Sequence, residues 1–204
     1  MRFGAALAQD PCDRTRQALF VSATAGPDNI QVVPYTGSSR MQVFINGASQ
    51  GIFAPTGHLI VFGQSGDDLI NVTVPHVSAY LYGGNGNDTI RSGNGDSFLI
   101  GGDGNDSLYA GNGKDILVGG RGSDYLVGGN GKDVLVTGST IYDGNSNANR
   151  VALATGGTSI FSAITVFDDG APDTALGGNG QDIFFLHRAN DLSDALGGES
   201  VTNI

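Results

Sequence analysis

The chain has 204 residues, with 34 glycines, a single cysteine, no tryptophan and a formal net charge of −10. This length favours one domain, the lone Cys12 excludes an internal disulfide, and an acidic chain with only 10 Lys plus Arg argues against nucleic-acid binding. No apolar stretch approaches the ~20 residues of a membrane-spanning helix, so we expect no membrane span. The acids are 19 Asp and one Glu, Glu199, which favours turn and metal chemistry because the short Asp side chain suits both.

The N-terminal part of the chain is irregular. Residues 1–18 are polar without periodicity and read as a leader or linker. Residues 19–62 read as β-structure that forms an N-terminal β cap, because the last strand of a stacked β-structure has open hydrogen-bonding groups. Within this cap, Gly26, Asp28 and Ile30 occupy the fourth, sixth and eighth places of a degenerate nine-residue unit.

The regular part of the chain is residues 63–136, a predicted β-roll. It begins with the unit GQSGDDLIN, which has Asp68 in its sixth place. The residues after it lack the turn glycines, and Val72 and Thr73 are left over, so we expect a bulge there. With this bulge the first turn falls on the same edge as the next regular turn, which predicts that Asp68 pairs with Asp88.

Residues 83–136 consist of six consecutive nonapeptides on the template G-G-x-G-x-D-x-U-x, where U is a large apolar residue. Repeats of this type are typical of calcium-binding parallel β-helices. The glycine-rich half of each unit predicts a turn, and the other half predicts a short strand with one inward side chain. Two nonapeptides therefore form one coil, and stacked coils form two parallel sheets around a single file of aliphatic side chains. The inward residues are Ile90, Leu99, Leu108, Leu117, Leu126 and Leu135.

The sixth position of each unit places acids along the two edges of this roll. Carboxylates on adjacent coils, about 4.7–4.9 Å apart, repel one another unless a cation lies between them. Ca²⁺ suits this gap because it takes about six to eight oxygen ligands from carboxylates and backbone carbonyls. One edge stacks Asp88, Asp106 and Asp124, and the other stacks Ser97, Asp115 and Asp133.

Departures from the template qualify the metal prediction. Ser97 stands where the template has Asp, so its site is expected to be weakened. Ala110 and Ser92 replace the first glycine, which is expected to matter little if φ is negative there. Asp106 has regular turns on both sides and can serve an ion on each, whereas the pattern fails after Asp133, so Asp106 is expected to matter most among the turn acids.

The C-terminal third is irregular again. Residues 137–165 read as an excursion from the roll. Residues 166–204 read as a C-terminal repeat and cap, in which GGNGQDIFF carries Asp182 in the sixth place and Phe184 in the inward place. A short helix is expected over 191–196.

The sequence also contains one motif typical of hydrolases. GASQG at 47–51 matches the G-x-S-x-G nucleophile elbow, which would place Ser49 between a strand and a helix. No helix start follows it, and residues 41–53 read better as a β-hairpin. No H-E-x-x-H zinc-protease motif or phosphate-binding loop occurs. We therefore expect no enzymatic activity.

The six nonapeptides resemble the RTX, or haemolysin-type, calcium-binding repeats of secreted bacterial proteins. The resemblance implies Ca²⁺ in the stacked turns and folding that depends on calcium. The stretches 53–72 and 165–185 also resemble those that flank C-terminal β-rolls in large planctomycete surface proteins. The expected fold is all-β: a right-handed parallel β-roll, which is a two-sheet solenoid whose coils each contain two nonapeptides, with irregular β caps at both ends.

These features predict a calcium-binding structural module of a secreted or cell-surface bacterial protein that takes up several Ca²⁺ ions and meets cell-surface or matrix partners. Two alternatives are a C-terminal secretion or stability module of a secreted protease or lipase whose catalytic domain is absent from this sequence, and an adhesin module. The expected metal-binding residues belong to the regular turns. They are Asp68, Gly83, Asn85, Gly86, Asp88, Gly101, Asp103, Gly104, Asp106, Gly111, Gly113, Asp115, Gly119, Gly122, Asp124, Gly129, Gly131, Asp133 and Asp182.

Overall fold

The computed structural model of the chain describes residues 3–140, 166–167, 171–186, 192–193 and 200–203. Across these residues the secondary structure is all β, without a helix. Two large sheets face each other across a shared core, so the structure is the β-roll that the repeats predict.

The first sheet contains one strand from each coil. Its strands pair in parallel from β2 onwards, and partners in adjacent regular coils are two nonapeptides apart, as in Leu99 with Leu117. Its strands, in spatial order and numbered along the chain, are β1 (Gly4–Gln9), β2 (Gln17–Ser22), β6 (Leu59–Ser65), β8 (Ala79–Asn85), β10 (Ser97–Asp103), β13 (Ile116–Arg121), β15 (Val134–Val136), β19 (Ile183–Leu186) and β21 (Ser200–Asn203).

The second sheet contains the alternate strands, again spaced by two nonapeptides, as in Leu108 with Leu126. The short β12 pairs with β14 beside the main order, and β16 pairs with β17 as a separate antiparallel ribbon. In spatial order its strands are β20 (Leu192–Ser193), β18 (Thr174–Gly180), β14 (Tyr125–Gly131), β11 (Ser107–Tyr109), β9 (Thr89–Arg91), β7 (Leu69–Val72), β3 (Asn29–Pro34), β4 (Met41–Ile45) and β5 (Ala48–Phe53); the others are β12 (Asn112–Gly113), β16 (Ser139–Thr140) and β17 (Val166–Phe167).

The core between the two sheets is the predicted single file of aliphatic side chains, and a second buried cluster, which includes Phe62, Tyr82 and Ile100, forms from side chains of the first sheet that alternate with this file. Phe184 continues the file at the C-terminal end and is fully buried. The predicted inward residues are all 0% exposed: Ile90, Leu99, Leu108, Leu117, Leu126 and Leu135.

Antiparallel strands cover the N-terminal end of both sheets. β1 lies antiparallel to β2 on one sheet, and the hairpin β4–β5 lies antiparallel to β3 on the other. The hairpin turn is Asn46-Gly47, with φ of 51° and 77°, which matches the Asn-Gly turns that suit two-residue hairpins. β2 and β3 themselves pair in parallel with β6 and β7, so parallel stacking begins within the segment expected to form the cap.

Two insertions interrupt the regular spacing without breaking the sheets. β7 pairs with β9 so that Ile70 lies beside Ile90, which leaves two extra residues after β7, next to the predicted bulge. β15 pairs with β19 across a much longer insertion, which places Leu135 beside Phe184. The predicted excursion over 137–165 falls mostly on residues 141–165, which lie outside the described part, so it stays a prediction.

The C-terminal end is β-structure where it is described. Leu192–Ser193 pairs in parallel with β18, and Ser200–Asn203 pairs with β19. The short helix expected over 191–196 is therefore wrong at Leu192 and Ser193, because these two residues continue the stacking of the second sheet.

Candidate metal centre

The sixth-position side chains stack into two columns, one along each edge of the roll. Within a column, Oδ1 of one acid accepts a hydrogen bond of 2.7–2.9 Å from the backbone N–H of its counterpart in the preceding coil. This places Asp68 next to Asp88, as the spacing predicts. The first column contains Asp28, Asp68, Asp88, Asp106, Asp124 and Asp173, and the second contains Ser97, Asp115, Asp133 and Asp182.

The other carboxylate oxygen, Oδ2, lies inside the turn. A buried carboxylate oxygen without a donor destabilises the folded state, because it has lost its hydrogen bonds to water and has gained no hydrogen bond in the protein. The chain itself therefore leaves a row of buried oxygens that require a positive partner. Within the described structure, Oδ2 is buried and accepts no hydrogen bond in Asp68, Asp88, Asp106, Asp115, Asp133 and Asp182.

The first glycine of the turn makes room for this oxygen. A Cβ added to Gly83 would lie 2.2 Å from Oδ2 of Asp88 and 2.7 Å from the carbonyl oxygen of Gly101 in the next coil. A carboxylate oxygen and the next coil's carbonyl oxygen meet in the same way at Gly63, Gly101 and Gly128. We call the space at each of these four glycines a glycine cradle.

Burial strongly perturbs the column acids. Desolvation is the largest cause, and it raises the pKa of Asp68, Asp88, Asp106 and Asp115 to about 7 and that of Asp133 to about 6. The backbone hydrogen bond to each acid lowers its pKa, while neighbouring carboxylates raise it. The ionised column is thus unfavourable in the folded chain unless a cation is bound.

The ion pairs between described residues join Arg16 to Asp13, Arg121 to Asp103, and His58 to Asp10. None of them involves the acids whose Oδ2 accepts no hydrogen bond, which are Asp68, Asp88, Asp106, Asp115, Asp133 and Asp182. The available donors in the columns are carboxylate and carbonyl oxygens, and Ca²⁺ prefers such ligands in flexible geometry. The residues present therefore fit Ca²⁺.

Turns that lack the first glycine differ in conformation. The second-position Gly84 and Gly102 have φ of +127° and +125°, and a Cβ on Gly84 would lie 1.9 Å from the carbonyl oxygen of Gln64. By contrast, φ of Gly93 and Gly111, which follow Ser92 and Ala110, lies outside the left-handed region.

The expectation that Ser92 and Ala110 matter little in place of the first glycine stays a prediction. The first-position Gly83 and Gly101 also lie outside the left-handed region, so φ does not explain their occurrence. The first glycine leaves space next to the acid at Gly83 and Gly101, whereas the turns that begin with Ser92 and Ala110 have a different conformation. Asp115 still has a buried, unpartnered Oδ2 behind Ala110.

The first column ends differently at its N-terminal side. Both oxygens of Asp28 are hydrogen-bonded: Oδ2 accepts bonds from the N–H and Oγ1 of Thr24 at 2.7 and 2.6 Å, and Oδ1 is bonded by the Asn46 amide. Asp28 thus terminates the column with donors from the chain and leaves no oxygen that requires an ion.

The structure changes one premise of the expected ranking of the acids. Asp133 stacks on Asp182 at 2.8 Å, so it lies inside its column, as Asp106 does. The premise that the column fails after Asp133 is therefore wrong, while the greater importance of Asp106 for ion binding stays a prediction.

The predicted site residues fall into three groups. The acids Asp68, Asp88, Asp106, Asp115, Asp124, Asp133 and Asp182 lie in the columns. The glycines Gly83, Gly101 and Gly119 lie against column acids, while Gly86, Gly104, Gly111, Gly113, Gly122, Gly129 and Gly131 lie against the backbone of the preceding coil. Asn85 and Asp103 are exposed, and their carbonyl oxygens accept N–H bonds from Gly66 and Gly86.

Sequence reasoning missed several residues at these sites. Asp173 is a column member, and the shared Pro-Asp of 27–28 and 172–173 is a signal that could have identified it. Gly63, Gly128 and Gly177 lie against column acids but were not among the expected ligands. They precede their acids by the same interval as that from Gly83 to Asp88.

Ser49 of the G-x-S-x-G motif lies in a hairpin strand. It is in β5, and its Oγ accepts bonds of 3.3 Å from the Gln42 side chain and the Gly51 N–H. The motif therefore forms part of the hairpin, and its serine is not on a strand-to-helix turn.

Comparison with known proteins identifies the repeats. The family model of the RTX calcium-binding nonapeptide repeat matches residues 82–117 and 109–139. No curated protein and no solved structure matches the chain. A search of the described residues finds no helix long and apolar enough to cross a membrane. The family match covers only the repeats, so the narrower resemblance of the flanking stretches to planctomycete proteins stays a prediction.

Proposed function

Since residues 82–139 belong to the RTX calcium-binding nonapeptide repeat family, we propose that this chain is a calcium-dependent structural module of a secreted or cell-surface bacterial protein. RTX repeats bind Ca²⁺, and the presence of several repeats implies several ions. The proposal adds that the ions occupy the two columns of turns, that they drive folding, and that the module carries out no catalysis.

One observation carries the proposal: a buried Oδ2 without a donor faces a carbonyl oxygen of the next coil in each glycine cradle. Asp88 at Gly83 and Asp106 at Gly101 show this arrangement with nearly equal spacings. A carboxylate oxygen and a negatively polarised carbonyl oxygen repel each other in one buried space, and a cation between them would attract both. Oxygen ligands alone favour Ca²⁺ over transition metals.

Backbone hydrogen bonds orient the carboxylate at each site. The N–H of one column acid donates to Oδ1 of the next acid, as from Asp88 to Asp106 at 2.7 Å, and this bond fixes the carboxylate so that Oδ2 points into the cradle. The bound ion would supply charge neutralisation and bridge two coils. Because each coil contacts only its neighbours, the stability of the roll is a sum of such inter-coil terms.

A location outside the cell accords with the family and with the ion. RTX repeat proteins are typically secreted, and the chain has one cysteine and so cannot be stapled by an internal disulfide. Metal binding can stabilise the fold in place of a disulfide. The ligands come together only in the folded state, so the free energy of metal binding adds to the free energy of folding.

Circular dichroism of the full chain at neutral pH tests the proposal. With excess chelator we expect a largely disordered spectrum, and millimolar Ca²⁺ should restore a β-type spectrum. Mg²⁺ should substitute poorly because it demands a tight octahedron. A chelated chain whose spectrum already matches that of the calcium-loaded chain would refute coupled folding.

A further inference from the structure

A cluster of three different metal-ligand types lies at the N-terminal end of the roll, outside the repeats. Asp10, Cys12 and His58 bring a carboxylate oxygen, a thiol sulfur and an imidazole nitrogen within 4.8 Å of one another. We call these three residues the N-terminal donor cluster. Asp10 and Cys12 follow β1, and His58 immediately precedes β6, so the cluster joins two chain segments distant in sequence.

Backbone contacts fix the cluster. Asp10 is fully buried, and its Oδ1 accepts the N–H of Cys12 at 2.8 Å. Its Oδ2 accepts the backbone N–H of His58 at 2.8 Å and lies 2.7 Å from Nδ1 of the same residue. A Cβ on Gly57 would lie 2.1 Å from this oxygen, so a glycine makes room for Asp10 as it does for the column acids.

The cluster is accessible from one side. The His58 side chain is 25% exposed and Cys12 is half-buried, whereas Tyr80 closes the inner side with its ring 5.0 Å from that of His58 and its hydroxyl 3.9 Å from the Cys12 sulfur. An ion from solvent can therefore reach the sulfur and nitrogen without disturbing the roll.

We propose that the N-terminal donor cluster binds a transition-metal ion of the Zn²⁺ class. Sulfur and imidazole nitrogen are donors that Zn²⁺ accepts and that Ca²⁺, which takes oxygen ligands, does not favour. A tetrahedral Zn²⁺ spaces its sulfur and nitrogen donors about 3.5 Å apart, so binding would move the partly exposed side chains of Cys12 and His58 towards each other.

In such a site Cys12 and His58 are the direct ligands, and the buried carboxylate of Asp10 supports His58. A carboxylate that hydrogen-bonds a ligating histidine fixes the ring orientation and increases the basicity of the ring. Oδ2 of Asp10 lies 2.7 Å from Nδ1 of His58, which leaves the other ring nitrogen for the ion. An ion bound here would tie the loop after β1 to the start of β6, and would therefore stabilise the N-terminal end of the first sheet independently of calcium.

Cobalt binding to the full chain tests this inference, because Co²⁺ substitutes for Zn²⁺ and reports a sulfur ligand by a thiolate-to-metal charge-transfer band. Saturating Ca²⁺ is present throughout, so that the Asp columns are filled and failure at this site stays distinct from failure of the calcium function. We expect one equivalent of Co²⁺ with a charge-transfer band, and displacement by Zn²⁺.

Three variants make the test specific. Cys12→Ser should abolish the band, and His58→Asn should weaken Co²⁺ binding at least about tenfold, whereas the matched His76→Asn, which changes an exposed histidine outside the cluster, should leave binding unchanged. Circular dichroism with Ca²⁺ verifies that each variant is folded. A folded wild-type chain without the band, or a His58→Asn variant that binds as tightly as wild type, would overturn the inference.

Discussion

The backbone N–H of Asp133 donates a 2.8 Å hydrogen bond to Oδ1 of Asp182, although a long insertion separates them in the sequence. The same bond, at 2.9 Å, joins Asp115 to Asp133, which are only two nonapeptides apart. The two bonds have nearly the same length across very different stretches of chain. The stacking of the column acids is therefore independent of the intervening chain.

Deletion of the insertion should preserve calcium-dependent folding. Removing 137–167 joins Val136 to Asp168 and restores an unbroken nonapeptide register. Because β15 already pairs with β19, the deletion need not move a strand of the roll. Circular dichroism with and without Ca²⁺ would measure this, and loss of the calcium response would show that the columns depend on the inserted residues.

The regular coils could be predicted from the sequence because each residue type has one role in them. An apolar residue every nine positions identifies the inward file, and an Asp every nine positions identifies the edges. The pairs Asp88–Asp106 and Asp115–Asp133 follow directly from this period.

Features that depend on contacts across insertions could not be predicted in the same way. The period is lost after Val136, so nothing local shows that Asp133 stacks on Asp182. The role of the first glycine could not be predicted either, because its φ is one that any residue adopts. The space that Gly83 leaves is filled by the carboxylate of Asp88, five residues later in the same turn. The parallel pairing of β2 with β6 and of β3 with β7 joins segments that are distant in sequence. In the sequence only the degenerate unit around Asp28 indicates it.

Without metal, the folded chain should lose stability as the pH rises. The pKa of the column acids is raised, to about 7 for Asp88 and Asp106, against about 4 for an unfolded Asp. The folded state therefore binds more protons than the unfolded state between these values, and stability present below about pH 4 is lost as the pH passes about 7. Chelated chain should show more β-type circular dichroism at pH 5.5 than at pH 8; the reverse order would contradict the burial of these acids.

Calcium affinity should show the opposite pH dependence. Protons and Ca²⁺ compete for the same carboxylates, and protonation stabilises the fold without calcium, so the gain in β-type circular dichroism that Ca²⁺ produces should shift to smaller values as the pH falls below about 7. Titrations at pH 8, 7 and 6 would measure it. The column acids with a pKa of about 7, Asp68 and Asp115 among them, should dominate this shift. A calcium-induced gain that does not change over this range would mean that the ions bind elsewhere.

Filling a glycine cradle should weaken calcium binding. In Gly101→Ala the new Cβ would lie 2.2 Å from Oδ2 of Asp106, so either the carboxylate or the turn must shift. We expect the calcium midpoint to increase at least about fivefold, about 1 kcal/mol. The matched control is Gly26→Ala, whose Cβ would meet nothing within 4 Å. Equal midpoints for the two variants would show that the cradle does not hold an ion.

The central claim is that the column acids, and not the exposed acids of the same turns, hold calcium. Asp106→Asn and Asp103→Asn remove the same charge from one turn, but Asp106 is buried in the column while the Asp103 side chain is 57% exposed and pairs with Arg121 at 3.5 Å. In calcium titrations followed by circular dichroism, Asp106→Asn should increase the midpoint about tenfold, about 1.4 kcal/mol, and Asp103→Asn less than about twofold. Equal shifts, or a larger shift for Asp103→Asn, would contradict the assignment of the ions to the columns.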